Sequence, residues 1–160
     1  MIYSQLETHV LNLRIQDELL AYLLERAGDH DLAVSLTMKQ QLGPNALTEF
    51  EAEKNLNHFL NRLGKKAYGN ATSRHGRKVP VVSMLERSLA GRWHHHLTMK
   101  NPFPGLEVCH SAIAECWSKT RWGYNEIYVV PIYDIAGWYR YTTKSQTSYG
   151  WDMKNTHLVR

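Results

Sequence analysis

Two β-rich runs, 79–86 and 92–99, constrain the fold of this chain more than any other feature. Between them, residues 88–91 read Ser-Leu-Ala-Gly, which is a plausible turn. Runs of this length on either side of a turn predict an antiparallel β-hairpin. The chain is therefore expected to be organised around an antiparallel sheet.

The hairpin also carries a candidate metal site. Side chains alternate along a strand, so His94 and His96 lie on one face of the second run. The turn can bring Glu86 of the first run beside them. Two imidazoles and a carboxylate suit a divalent metal ion and leave coordination positions open for a substrate, which is typical of a catalytic site. Taken alone, a His-x-His pair is more often a pair of surface or core histidines.

Helices and strands are predicted on both sides of the hairpin from hydrophobic periodicity and helix caps. Thr48, with Glu51 three residues later, is typical of a capping box. Apolar spacing places Phe50 and Val108 among the buried residues of their helices. In chain order the predicted elements are a helix over 3–27, a strand over 32–38, a helix from Thr48 to about residue 64 or 68, a loop over 69–78, the hairpin, a helix over 106–120, a strand over 124–133 and a helix from about Ile135.

This order, β-α-β-β-α-β-α after an N-terminal helix, predicts an α+β fold. Two β-α-β halves joined in this way form a ferredoxin-like or RRM-like antiparallel sheet with helices packed on one face. In that layout we expect the hairpin strands to be central and the metal ligands to lie on the open face. We predict an N-terminal helical extension over 1–30 and one domain over 31–160.

The composition argues against a membrane or secreted protein. No apolar run approaches the ~20 residues that a membrane span needs, and the start lacks a signal-peptide pattern. Cys109 and Cys116, the two cysteines, lie on a predicted helix, where packing into the core is the simplest interpretation. We therefore expect a cytoplasmic protein without a membrane partner.

Basic residues are concentrated in one segment. The net charge is +4, and residues 54–85 contain several Lys and Arg but no Asp or Glu. Such a segment suits a polyanion such as nucleic acid, although a solvated basic face would have the same composition. The candidate DNA-binding residues are Arg62, Lys65, Lys66, Arg74, Arg77 and Lys78.

The last predicted helix carries a second chemical feature. Tyr141 and Lys144 are spaced i and i+3, so both project from one helix face. A tyrosine can attack phosphorus and hold it as an ester, and a nearby lysine can offset charge on the phosphate. The same pair would also fit an amphipathic boundary with the lysine reaching water. Tyr139 is a rival nucleophile, roughly 200° round the helix from Tyr141.

With these motifs in this order, the chain resembles the HUH endonuclease superfamily, in its single-tyrosine rolling-circle replication initiator (Rep) form. The resemblance covers about residues 31–146. The matching motifs are the strand at 33–39, similar to the family's opening motif; His94-His95-His96, similar to its His-x-His motif, with Glu86 eight residues ahead of His94; and Tyr141-x-x-Lys144, similar to its tyrosine motif. The chain departs from the family at His95, where a bulky hydrophobe is usual, and at Ser145, where many initiators have an acidic residue.

The resemblance implies an activity: metal-dependent nicking and joining of single-stranded DNA. It implies that Glu86, His94 and His96 hold one Mg²⁺ or Mn²⁺ ion. It also implies that Tyr141 forms a 5′-phosphotyrosine while Lys144 balances charge at the same phosphate. The implied partners are single-stranded or hairpin DNA at an origin nick site and a host helicase, since the sequence contains no P-loop motif.

Other functions stay open from the sequence. A transposase or a mobilisation relaxase would use the same chemistry in a different genetic setting. A non-catalytic module would bind single-stranded nucleic acid through stacking and charge alone.

Overall fold

The computed structural model describes residues 5–143 and 152–158, and its elements follow the predicted order. They are α1 (Gln5–Ala27), β1 (Leu32–Met38), β2 (Gln41–Leu42), β3 (Asn45–Ala46), α2 (Glu49–Tyr68), α3 (Asn70–His75), β4 (Val81–Arg87), β5 (Trp93–Met99), α4 (Leu106–Ser118), β6 (Gly123–Pro131), α5 (Ile135–Thr143) and a 3₁₀ turn at Met153–Asn155.

Four strands form one antiparallel sheet in the order β4-β5-β1-β6. With α2 following β1 and α4 following β5, this is the predicted ferredoxin-like arrangement, and the α+β fold class is confirmed. β5 is central as expected, but β4 lies at one edge, so the expectation that both hairpin strands are central is wrong. The reason is that β1 pairs with the far side of β5 and with β6, which leaves β4 only its hairpin partner.

The outer edge of β4 is paired with the segment 152–158. Val81 and His157 exchange two backbone hydrogen bonds of 2.9 and 2.8 Å. The Asp152 N–H donates to the Ser83 carbonyl oxygen at 2.9 Å. These bonds satisfy backbone groups that an edge strand would otherwise leave open to other chains.

Helices α2 and α4 pack on one face of the sheet, and this face holds the main core. Phe59 and Trp117 are fully buried there, with ring centroids 5.4 Å apart in an edge-to-face arrangement. Leu97 of β5 points into the same core because alternate strand residues face the helices. Cys109 and Cys116 are buried free cysteines, as their helical spacing predicts.

The opposite face is covered only in part, by the second half of α1 and by α5. A small buried cluster of Leu23, Ala27, Val82, Met84 and Tyr139 joins these helices to β4. The N-terminal helix is therefore docked on the sheet rather than held away from it. The rest of this face, toward β6, carries exposed side chains. We call the whole side of the sheet opposite α2 and α4 the open face.

Two local predictions meet different outcomes. The N-cap of α2 is confirmed, because the Thr48 hydroxyl accepts from the Glu51 N–H at 3.2 Å. The segment 69–78 is not wholly a loop, since it contains α3. This helix is bracketed by Gly69 (φ 56°) and Gly76 (φ 62°), and such positive φ values favour glycine.

Within residues 5–143 and 152–158, no helix combines the length and the apolar character that crossing a membrane requires.

Candidate metal centre

The predicted metal ligands lie together on the open face, at one end of the hairpin. In the register of β4 and β5, Glu86 stands directly opposite His94. His96 lies two residues further along β5 and points to the same face. The hairpin therefore brings the three side chains to one place, as the sequence predicts.

Both imidazoles direct the same nitrogen atom at one carboxylate oxygen. Glu86 Oε2 lies 3.3 Å from His94 Nε2 and 2.8 Å from His96 Nε2. The two imidazole rings are 4.8 Å apart and nearly perpendicular. All three side chains are partly buried, so the cluster is shielded but open on one side.

The other ring nitrogen of each histidine is held by a neighbour. His94 Nδ1 donates to the Arg92 carbonyl oxygen at 3.3 Å. His96 Nδ1 lies 3.0 Å from the Ser35 hydroxyl, which can donate or accept. Second partners of this kind fix the ring orientation and the tautomer of metal-bound histidines. With a proton on Nδ1, each ring turns a lone pair of Nε2 toward Glu86.

The protonation of His96 also favours a metal. Burial lowers the pKa of this imidazole and the neighbouring His94 lowers it further, whereas the carboxylate of Glu86 raises it. The net lowering keeps His96 neutral near pH 7. A neutral imidazole is the form that binds metal ions.

These observations together show that the cluster could hold a metal ion. One ligand atom from each of the three residues lies within 4.8 Å of the other two. In the metal-free protein a hydrogen bond between His96 Nε2 and Glu86 Oε2 occupies this position, and a cation would replace the proton that the two atoms share. We call Glu86, His94 and His96 the triad.

His95 has a different role from its two neighbours. It points to the opposite face of the sheet and is fully buried in the main core. Its Nε2 donates to the Ala52 carbonyl oxygen at 3.1 Å, and its ring meets Trp117 edge-on at 6.2 Å. His95 is thus a core residue of the helix-covered face and takes no part in the metal site.

An aromatic chain leads from the triad to Tyr141. The ring centroids of His96 and Trp138 are 6.4 Å apart, and those of Trp138 and Tyr141 are 6.1 Å apart. Asp134 fixes the start of the helix that carries both aromatics, because its carboxylate accepts from the Gly137 N–H at 2.9 Å. The ring of Tyr141 is therefore connected to the predicted metal ligands through one intervening side chain, Trp138.

The two candidate tyrosines differ sharply in environment. Tyr141 is 56% exposed, whereas Tyr139 is fully buried. The Tyr139 hydroxyl donates to the Ala27 carbonyl oxygen at 2.9 Å and bonds the Thr98 hydroxyl at 3.0 Å. Burial is the main cause that raises the pKa of Tyr139 to about 12. A buried phenol with a raised pKa is a poor nucleophile, which leaves Tyr141 as the accessible candidate.

The remaining predicted site residues lie elsewhere. Lys144 falls outside the described residues. The predicted DNA-binding residues lie on the last turns of α2, on α3 and just before β4. These residues all precede Val81, the first residue of β4, and Val81 lies five residues, or about 16 Å along the strand, from Glu86. The structure does not bring the two sets together. The DNA-binding candidates are Arg62, Lys65, Lys66, Arg74, Arg77 and Lys78.

Several of these basic side chains have partners within the protein. Lys66 forms an ion pair of 2.6 Å with Glu115. The guanidinium of Arg77 lies 4.0 Å from the ring centre of Tyr68. Glu115 compensates the charge of Lys66, so a polyanion would compete with this ion pair, whereas the neutral ring of Tyr68 leaves the charge of Arg77 in place.

Sequence reasoning missed two residues of the site. Ser35 contacts His96 through the pairing of β1 with β5, a non-local contact that no local pattern reveals. Trp138 lies three residues before Tyr141, so helical spacing alone could have placed it on the same side.

The chain matches no protein-family model, no curated protein and no solved structure.

Proposed function

We propose that the protein is a metal-dependent endonuclease and strand transferase for single-stranded DNA, of the HUH type with one tyrosine. The observation that carries this proposal is the convergence of His94 Nε2 and His96 Nε2 on Glu86 Oε2, next to the helix that presents Tyr141. Phosphotyrosine chemistry needs a metal site and an accessible phenol, and here the triad and Tyr141 lie on neighbouring elements.

The proposed metal is Mg²⁺ or Mn²⁺. Ions of this class accept carboxylate ligands, and Mn²⁺ also accepts imidazole nitrogen. When bound by the triad, the ion would supply Lewis-acid stabilisation of charge on the scissile phosphate. Ser35 and the Arg92 carbonyl oxygen would hold the two imidazoles in the orientation that binding requires.

Tyr141 is proposed to act as the nucleophile. Its phenol loses a proton, and its oxygen forms a bond to phosphorus. The bond between phosphorus and the 3′ oxygen of the preceding nucleotide breaks, and that oxygen takes up a proton. The 5′ end stays attached as a phosphotyrosine, and a later 3′-hydroxyl can reverse the step and join strands. Lys144 remains a predicted source of charge compensation at this phosphate.

Trp138 is proposed to set the distance between Tyr141 and the triad. Its indole lies between the rings of His96 and Tyr141. A rigid aromatic in this place keeps the phenol from collapsing onto the histidines and leaves room for a phosphate. Orientation of this kind is a large part of the rate of enzymatic group transfer.

A covalent-adduct assay tests the proposal. The purified protein is mixed with a pool of single-stranded DNA hairpins and Mn²⁺, and the products are separated on a denaturing gel. We expect a protein–DNA band that requires metal and is lost in Tyr141→Phe, His94→Ala and His96→Ala. Tyr133→Phe is the matched control, since Tyr133 is 95% exposed and lies outside the site.

The outcomes separate the alternatives. An adduct that persists in Tyr141→Phe would overturn the assignment of the nucleophile. No adduct across a diverse pool, together with tight and salt-sensitive binding, would favour a non-catalytic binding module. A replication initiator, a transposase and a relaxase would all give the adduct, and sequencing the trapped DNA would give the nick site.

A further inference from the structure

A second tyrosine on the open face lies in register with the triad. Tyr128 of β6 pairs with Ser35 of β1, and Ser35 pairs with His96 of β5. Paired residues of antiparallel strands point to the same face, so the three side chains form one row across the sheet. Two strand spacings separate Tyr128 from His96, which is about 10 Å.

The ring of Tyr128 is left uncovered by the rest of the protein. It is 55% exposed, and Val130, the next residue of the same face, is 49% exposed. Toward β4 the same face is covered, and Val82 and Met84 are buried beneath α1 and α5. The uncovered part of the face is therefore the part that borders the triad on the β6 side.

A carboxylate fixes the position of this ring. The Tyr128 hydroxyl donates to Glu126 Oε1 at 2.8 Å. The negative charge of Glu126 repels phosphate, so a nucleic acid would not place its backbone here. A flat aromatic face with an apolar neighbour instead suits a nucleobase, because every base presents a π-face for stacking.

We propose that Tyr128 is a stacking platform for one base of a single-stranded nucleic acid whose backbone passes the triad. The inference rests on the proposed function, since the triad supplies the position of the phosphate. A base attached near that phosphate reaches across Ser35 to the ring of Tyr128.

The test is a binding measurement with two probes in the presence of Mn²⁺, on proteins that also carry Tyr141→Phe so that no cleavage interferes. The adduct assay below uses the same variants with Tyr141 intact. One probe is a fluorescent oligothymidylate, and the other is a strand of equal length whose nucleotides lack bases. We expect Tyr128→Ala to weaken binding of oligothymidylate by roughly tenfold, the order found for the loss of one stacked base. Binding of the abasic strand should not change. Tyr128→Phe should retain binding of both strands, and Tyr133→Ala is the matched control.

Each other result overturns the inference. If Tyr128→Ala weakened the binding of both probes equally, Tyr128 would act on the backbone or on the fold. If Tyr128→Ala bound oligothymidylate as tightly as the parent protein, Tyr128 would not contact the strand. A dimer in sedimentation experiments that is lost in Tyr128→Ala would assign the patch to contacts between copies.

The adduct assay of the same variants keeps the two proposals apart. Base-dependent binding through Tyr128 without any adduct would support the stacking platform and contradict the nuclease. An adduct together with unchanged binding in Tyr128→Ala would support the nuclease and contradict the stacking platform.

Discussion

The free energy of unfolding should fall as the pH is lowered from neutral to mildly acidic values, and replacing His95 with leucine should remove a large part of this fall. The side chain is fully buried, with Nε2 bonded to the Ala52 carbonyl oxygen and Nδ1 without a partner among the described residues. Burial is the largest cause that lowers the pKa of His95, from 6.5 to about 3. Between these values the unfolded chain binds a proton at His95 and the folded protein does not.

The sign and the size of the effect follow from this difference. Stability rises with pH wherever the unfolded state binds more protons, so the contribution of His95 is present above pH 6.5 and is lost as the pH falls toward about 3. One pKa unit corresponds to about 1.36 kcal/mol, and pH 4.5 lies about two units below the unfolded value. His95 should therefore cost the parent protein about 3 kcal/mol at pH 4.5.

Leucine cannot bind a proton, so this cost should vanish in His95→Leu. At pH 7 the variant loses one hydrogen bond of about 1 kcal/mol, but it also removes a buried nitrogen without a partner and keeps a similar volume. Its free energy of unfolding at pH 7 should lie within about 1 kcal/mol of the parent.

Urea unfolding followed by tryptophan fluorescence measures the free energy of unfolding of both proteins from pH 7 to pH 4.5. A chelator keeps the triad free of metal, so that only protons are exchanged. The reasoning is refuted if the two proteins lose stability in parallel. Mn²⁺ titration of His95→Leu at pH 7 is the companion control, because the side chain faces away from the triad and metal affinity should persist.

Three further substitutions test the site and its support. Ser35→Ala should lower the affinity for Mn²⁺ by roughly tenfold in calorimetric titration, because the imidazole of His96 loses its second partner; unchanged affinity would contradict the orienting role. Tyr139→Phe removes two buried hydrogen bonds, to the Ala27 carbonyl oxygen and to the Thr98 hydroxyl, and should lower the free energy of unfolding by about 1–3 kcal/mol. Both oxygen atoms keep their bonds to His30. Tyr141→Phe should change the free energy of unfolding by less than about 0.5 kcal/mol, and similar values for both variants would argue against their different burial. Asp134→Ala removes the cap of α5 and should cost about 1 kcal/mol in the same assay, and no loss would show that the cap is dispensable.

Local patterns predicted most of the elements and the core of the site. Alternation along a strand and the short turn of the hairpin were enough to bring Glu86, His94 and His96 together, because these contacts are close in sequence. The place of Ser35 required the pairing of β1 with β5, which depends on the whole fold. The edge position of β4 was missed for the same reason.

Two predicted core residues are exposed instead. Phe50 is 66% exposed and Val108 is 47% exposed. Both residues lie in the first turn of their helices, before the helix makes contact with the sheet. Hydrophobic periodicity does not show at which turn this contact begins. In α4 the neighbouring Cys109 faces the core in place of Val108.

During synthesis, the outer edge of β4 stays open until residues 152–158 have left the ribosome. The Ser83 N–H donates to the Thr156 hydroxyl, which is 73 positions later in the chain. The backbone hydrogen bonds of Val81 likewise require His157. Until then the strand that supplies Glu86 offers its backbone groups to any other strand nearby. Nascent chains stalled before residue 152 are therefore the species expected to associate on crowded polysomes.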